Sequence, residues 1–306
     1  MNRPQQRKTG MASRIPTYSI CNLNGIDRCV TEFTVAGLRA FVDSHADLVF
    51  PHRHHFFQLV LFTEGGGEHS IDFQRFDAVK HQLYCMMPGQ VHTWDFGPRT
   101  DGFVVNFNEP FITPICQDTR FLYDLPMFDG QWNVHQLTET AYHEIEASMR
   151  GMLHEYTHYE GKFKSDLMRS MLVQLLIYVA RNIGADAPDG VSQRHLATLG
   201  EFKKQIELRY RTLRLPKDYA ELLHITPNHL NTVCNATVGK SAGELIRDRV
   251  LLEAKRQLVQ RNLSVSEIGY ALDFKDNAYF SRFFKKYTGA TPEEFRKKIA
   301  VNTVEL

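Results

Sequence analysis

The chain has 306 residues, 43% of them hydrophobic and 23% charged, long enough for two cores and ordinary for a soluble globular protein. Its net charge of +1 hides an asymmetry: residues 1–195 carry 17 basic against 22 acidic side chains, residues 196–306 carry 19 against 13. Only the second part therefore suits a polyanionic partner. Five scattered cysteines, Cys21, Cys29, Cys85, Cys116 and Cys234, lack paired metal spacing and read as reduced thiols of a cytoplasmic protein. No apolar run approaches the roughly 20 residues of a membrane span, and the polar start MNRPQQRKTG has no apolar core of a signal peptide.

Residues 1–17 form a basic arm without periodicity, expected to be disordered. Residues 18–135 alternate short apolar runs with turn residues. Phe56 to Phe62 precedes Glu64-Gly65-Gly66-Gly67, Gln82 to Met87 precedes Pro88-Gly89, and a third run spans Gly102 to Phe107. That spacing predicts a small β-barrel or sandwich. Residues 136–183 read as two helices, about Leu137–Tyr159 and Lys162–Ile183. In the second, Phe163, Leu167, Met171, Leu175, Tyr178 and Val179 are expected on one side, covered by the barrel or by a second subunit. Residues 184–195, with GADAPDGVSQR, have the Gly, Pro and Asp content of a linker.

The remainder, residues 196–306, is expected to be all-α. Leu199, Phe202, Ile206 and Tyr210 form the stripe of its first helix. A short helix at about Pro216–Leu223 is followed by one from Pro227 to about Ala236, with Thr226 as N-cap and Pro227 at the first helical position. A helix at about Ser241–Gln260 joins this pair to another. The second pair opens with Ser264 and Glu267 as a capping box, turns at Leu272-Asp273-Phe274-Lys275, and continues from Asn277 to about Tyr287 between Asp276 and Gly289. Phe280, Phe283, Phe284 and Tyr287 share one face of that last helix, away from Asn277, Ser281, Arg282, Lys285 and Lys286. Leu230, Val233, Asn235 and Gly239 stand fifty residues before Phe280, Phe283, Lys285 and Gly289, and Glu244 before Glu294, so the pattern is duplicated. Each copy is a helix-turn-helix, a motif whose second helix enters a DNA major groove.

Ile268-Gly269-Tyr270-Ala271-Leu272-Asp273-Phe274, Tyr279 to Lys286 and Thr288 to Arg296 together resemble the DNA-binding domain of AraC-type transcriptional regulators over about Leu199–Lys298. The family's usual glycine before Phe274 is Asp273 here, and its usual serine before Tyr279 is Ala278. In the first copy Thr232 and Asn235 replace basic residues, and Cys234 an aromatic. The resemblance implies a ligand-responsive, DNA-binding regulator, commonly an activator, that dimerises through its N-terminal part and acts with RNA polymerase. Asn228, Asn231, Asn277 and Arg282 are the base-edge candidates. His229, Thr232, Asn235, Tyr279 and Ser281 complete the exposed faces, and Lys240, Lys285 and Lys286 are phosphate-binding candidates.

The segments PHRHHFFQLVLFTEGGGEHSIDF and LYCMMPGQVHTW are similar to the cupin-like sensing barrel often found ahead of that domain. His52, His54 and His92 fall near the metal-ligand positions of metal-binding cupins, but Gln58 stands where their carboxylate belongs, and an amide is the poorer ligand. The reading adopted is a metal-free and cofactor-free pocket near the barrel mouth, formed by His52, Arg53, His54, Gln58, His92 and Trp94. A metal-dependent cupin enzyme is the alternative. His154-Glu155-Tyr156-Thr157-His158 also spells the H-E-x-x-H of zinc peptidases, but the third ligand of the longer pattern would fall on Lys164. The expected overall class is thus α+β, a non-enzymatic regulator with a barrel, a helical pair and two helix-turn-helix units.

Overall fold

The computed structural model describes residues 16–20, 32–45, 48, 50–116, 121–122, 125–128, 134–183, 192–259 and 263–302. The expected N-terminal arm, most of the linker, Cys21 and Cys29 lie outside this set. Two compact units emerge, Thr17–Leu252 and one built on Glu253–Leu306, the boundary falling inside a helix.

Among the described residues the first unit opens with ten strands: β1 (Thr17–Tyr18), β2 (Phe33–Gly37), β3 (His52–His54), β4 (Phe57–Glu64), β5 (Gly67–Ile71), β6 (Gln74–Asp77), β7 (Gln82–Met86), β8 (Val91–Phe96), β9 (Asp101–Phe107) and β10 (Val134–Gln136). They form two five-stranded sheets, ordered β1-β3-β8-β5-β6 and β10-β7-β4-β9-β2. Alternation along β4 sends Val60 and Phe62 to a core shared with Ile71, Tyr84, Trp94 and Val104, whereas Phe57, Leu59 and Leu61 face the opposite side. Helix α1 (Leu38–Ser44) adds Leu38 and Phe41 to the first of these cores.

Short helix α2 (Glu109–Cys116) follows β9, and α3 (Glu139–His158) and α4 (Lys164–Asn182) then cover the second face of the β4 sheet. Ile145, Met149 and Met152 of α3 and Met168, Leu172, Leu175, Leu176 and Val179 of α4 complete its core. The apolar side of α4 is therefore rotated from the expected one. Leu175 and Val179 are buried, but Phe163 (68%) and Leu167 (45%) are exposed. With apolar residues almost all round the last turns, helical period alone could not select the buried stripe.

The helices that follow lie close to their expected bounds: α5 (Gln193–Arg209), α6 (Pro216–Leu222), α7 (Pro227–Val238), α8 (Ala242–Val259), α9 (Val265–Ala271), α10 (Asn277–Thr288) and α11 (Pro292–Asn302). Leu199, Phe202, Ile206 and Tyr210 are buried as a stripe. Arg249 clasps both oxygens of Glu207 at 2.7 and 2.8 Å and lies 3.9 Å over the Tyr210 ring, tying α8 to α5 within the first unit. In the second unit Arg296 donates to the carbonyls of Leu258 and Leu263, fixing α11 against the end of α8.

The fifty-residue repeat is written in backbone chemistry. Ser241 and Glu244 form a reciprocal cap at the start of α8, and Thr291 and Glu294 form the same cap at α11. α7 and α10 both end on a left-handed glycine, Gly239 at φ +68° and Gly289 at φ +81°. The turns differ in length: α6 and α9 start 49 residues apart, α7 and α10 start 50 apart. His224 and Asp273 occupy equivalent positions at φ +53° and +58°, followed by matching Ile225 N–H to Ala220 and Phe274 N–H to Gly269 bonds of 2.9 Å. The extra residue of the second turn is Lys275.

Among the described residues no helix is long and apolar enough to cross a membrane. Asp273 adopts the left-handed conformation expected of it, at a cost glycine does not carry. Asp273→Gly is expected to stabilise the second unit by about 0.5–1 kcal/mol in chemical denaturation. A loss of stability would show that the Asp273 side chain contributes more than its backbone strain costs.

Candidate nucleic-acid interface and ligand site

Each second helix of the repeat is set by a cap at its start and an apolar side beneath it. In α7 the Thr226 hydroxyl accepts the His229 N–H at 3.2 Å, while Leu230, Val233 and Cys234 are buried. In α10 the Asp276 carboxylate accepts the N–H groups of Ala278 and Tyr279 at 3.0 and 3.1 Å. Phe280 and Phe284 are fully buried, whereas Phe283 is half-buried and Tyr287 is 40% exposed, so the apolar side is narrower than expected. Gly269 of α9 allows close packing, since a Cβ there would meet Phe280 at 3.3 Å. The Ser264–Glu267 capping box is present, and the backbone and side chain of Ser264 hold the Glu267 carboxyl below its ordinary pKa.

The polar faces contain both exposed and committed groups. Asn228, Thr232, Asn235, Tyr279, Arg282, Lys285 and Lys286 are exposed; His229 and Ser281 are half-buried. The Arg282 guanidinium lies 3.7 Å from Asp276 with its side chain 70% exposed, a contact worth little in water. Two of the expected base readers already hold structural bonds. The Asn231 carbonyl accepts the Ala242 N–H at 2.9 Å, joining α7 to the start of α8, and the Asn277 amide donates to the Ser266 hydroxyl at 2.7 Å, joining α10 to α9. Lys240 is paired with Asp248 at 2.8 Å.

The strands pair as two separate sheets without barrel closure among the described residues, and the residues expected at a mouth are interior groups. His52, His54 and His92 are 1–2% exposed, and His52 pairs with His92 across β3 and β8. Arg53 alternates with them along β3 and is half-buried. Gln58 is buried and donates to Asn106 at 2.8 Å, which in turn donates to Thr34 at 3.2 Å. Sequence reading missed His69, which is 1% exposed, pairs with Trp94 in the β5–β8 register and lies 3.1 Å from the His92 ring nitrogen. Only the inward alternation along the short strand GEHSI pointed to it. His52–His92 and His54–His92 ring centroids are 4.1 and 4.8 Å apart.

Burial, reinforced by the neighbouring imidazoles, pushes His54 and His69 down to about 3 and His92 well below its ordinary value. Four side-chain atoms here are buried without a hydrogen-bond partner: His54 Nε2, His69 Nδ1, His92 Nε2 and Trp94 Nε1. Beside His69 and Trp94 lies a cavity walled by Leu38, Phe41, Val60 and Val104, with room for about one water molecule. Among the described residues no group of three or more His, Cys, Asp or Glu side chains is arranged to hold a metal ion. His154 and His158 are exposed on α3 with rings stacked at 4.5 Å, His158 Nδ1 bonding the His154 carbonyl at 3.0 Å. Both rings thus stand on a solvated helix face.

A sheet-rich N-terminal part followed by a duplicated helix-turn-helix is the arrangement of AraC-type regulators. The chain belongs to that family: the model of the AraC-like ligand binding domain matches residues 35–177 and that of a helix-turn-helix domain matches residues 219–298. It is 39% identical over 95 residues to the uncharacterized transcriptional regulatory protein YesN of Bacillus subtilis (strain 168), 30% of this chain and 26% of that one. It is 27% identical over 154 residues to the raffinose operon transcriptional regulatory protein RafR of Pediococcus pentosaceus, 49% of this chain and 54% of that one. These matches thus span about a quarter to a half of the curated relatives' length. A structure of ToxT from Vibrio cholerae aligns at a TM-score of 0.41 and 9% identity, over 87% of this chain and 98% of that one.

The neutral histidines set the pH response. Their folded pKa values lie below the unfolded value of about 6.5, so the unfolded chain binds more protons as the pH falls through 6.5 toward 3. Stability is full above that window. Within it, loss should approach about 1.4 kcal/mol per pH unit for each of His54, His69 and His92. Urea unfolding followed by tryptophan fluorescence, with Trp94 in the cluster, is expected to show this slope, reduced in His69→Gln. A flat profile from pH 7.5 to 5 would contradict burial of these rings as neutral groups.

Proposed function

We propose that the protein is a sequence-specific DNA-binding transcriptional regulator whose barrel takes a small-molecule effector. The observation that carries this reading is the repeated, capped helix pair, α6–α7 and α9–α10, each with a buried apolar side and an exposed polar one. α7 and α10 act as recognition helices entering successive major grooves on one face of the duplex. Arg282 reads guanine and Asn228 reads adenine, while Lys285 and Lys286 hold phosphates. His229, Thr232, Asn235, Tyr279 and Ser281 complete the contact faces. Asn231, Asn277 and Lys240 contribute through the orientation of these helices as well as through any direct contact, given the bonds they already make.

The effector occupies the barrel interior around His52, His54, Gln58, His92 and Trp94, with His69 added and Arg53 at its edge. Binding changes the fit of the sensing domain and so the DNA-bound population. The protein works in the cytoplasm as a homodimer, contacts RNA polymerase and activates transcription; the cytoplasm and the polymerase follow from the family alone. For the dimer, Phe163, Leu167 and Ile177 are exposed apolar side chains on the outer side of α4, interrupted there by Ser170 and Gln174.

On an operator selected from random duplex DNA, Arg282→Ala is expected to weaken binding by about 1–3 kcal/mol and relax specificity at one base pair. Lys286→Ala should weaken all sequences alike and reduce the salt slope by about one. Fluorescence anisotropy across a salt series separates the two; unchanged binding in both variants would remove α10 from the interface. Sedimentation of Leu167→Glu combined with Ile177→Glu is expected to show monomer where the unsubstituted chain shows dimer. A dimer persisting at the same concentration would place the contact elsewhere.

A further inference from the structure

The four unpartnered polar atoms of the barrel interior specify more than a generic pocket. Buried polar groups in native structures are nearly all paired, so a cluster left open is a place where something else completes the bonding. What completes it depends on which atoms carry protons, and the surrounding bonds decide that. His54 Nδ1 lies 2.7 Å from the Phe56 carbonyl, which can only accept, so this nitrogen carries the hydrogen. In the neutral ring His54 Nε2 is then a bare lone pair. Trp94 Nε1 can only donate. His69 Nε2 and His92 Nδ1 share one hydrogen across 3.1 Å. Whichever ring supplies it, the pair's two outer nitrogens, His69 Nδ1 and His92 Nε2, are left as one N–H and one lone pair.

The open cluster therefore presents two donors and two acceptors; its His69 and Trp94 line the adjoining cavity, whose other walls are apolar apart from Gln58, already bonded to Asn106. No carboxylate, lysine or arginine lines the cavity, so a cation or anion would enter without a counter-charge. A wholly apolar ligand would leave all four atoms unsatisfied. A hydroxyl group both gives and takes a hydrogen bond and suits the mixed set. We infer that the effector of this barrel is a compact, uncharged molecule with an apolar body and a hydroxyl group, an alcohol or phenol, seated between Trp94 and the His54–His69–His92 cluster. This rests on the reading of the barrel as an effector pocket and narrows it to one ligand chemistry. The cavity has room for about one water molecule, so the ligand displaces that volume and pushes back the α1 wall of Leu38, Phe41 and Val42.

Phenol and toluene, close in size and differing in the hydroxyl, are the probes, with benzoate as the anion. The full chain labelled with nitrogen-15 in its histidines is titrated with each at pH 8, where the imidazoles are neutral. Phenol is expected to shift the His69 Nδ1 resonance saturably, with an affinity at least tenfold above that of toluene and benzoate. His54→Leu should abolish that preference while leaving the fold intact by circular dichroism. Equal binding of phenol and toluene, or no saturable shift with phenol, would overturn the hydroxyl assignment. Preferential binding of benzoate would overturn it too, while leaving an effector pocket in place. Anisotropy with operator DNA on the same samples reports the regulator reading separately, since it does not depend on which probe binds.

Discussion

The structure depends on helices that bury one side and leave the other polar, held at their ends by side chains that answer otherwise unpaired backbone groups. In α10 this division is sharpest: Phe280 and Phe284 are fully buried, and Arg282, Lys285 and Lys286 are exposed on the same twelve residues. The apolar side fixes the rotation of the helix about its axis, and Asp276 and Gly289 fix where it begins and ends. The exposed row is thereby aimed by the packing and caps of the helix itself. α7 repeats the scheme with smaller side chains, Leu230, Val233 and Cys234 beneath and Asn228, Thr232 and Asn235 above. Its exposed row carries no formal positive charge, whereas that of α10 carries Arg282, Lys285 and Lys286.

The barrel shows the opposite balance. A core normally excludes unpaired polar atoms, yet four collect around His54, His69, His92 and Trp94 within a well-packed sheet interior. That arrangement lowers stability, by an amount that grows on acidification as the histidines resist protonation. Sites that bind carry such costs because complementary groups must be in place before the ligand arrives. The other face of the same sheet, covered by α3 and α4, has the uniformly apolar packing of a structural core.

Much of the C-terminal hundred residues was legible because capping chemistry is local. Thr226, Ser264 and Asp276 act at the helix starts where their sequence context puts them, and Asp273 takes the left-handed turn that its side chain tolerates. The single inserted residue Lys275 was not visible, since the repeat was registered on the second helices, where the spacing is a constant fifty. Long-range partners escaped in the same way: nothing near Asn231 or Asn277 announces the bonds to Ala242 and Ser266 eleven residues away. In the barrel, the alternation of β3 exposed the His52–His54 pair, but His69 reaches the cluster only through the register of β5 with β8. The buried side of α4 depended on which sheet face it meets, information that a helix apolar on most sides does not contain.

The central claim is that α7 and α10 present two matched reading surfaces to neighbouring turns of one duplex. Methylation interference on an operator selected from random DNA tests it most directly, because guanine N7 lies in the major groove. The account predicts two clusters of interfering guanines per bound chain, on one face of the helix and about 10 base pairs apart. A single cluster, or two on opposite faces, would contradict it.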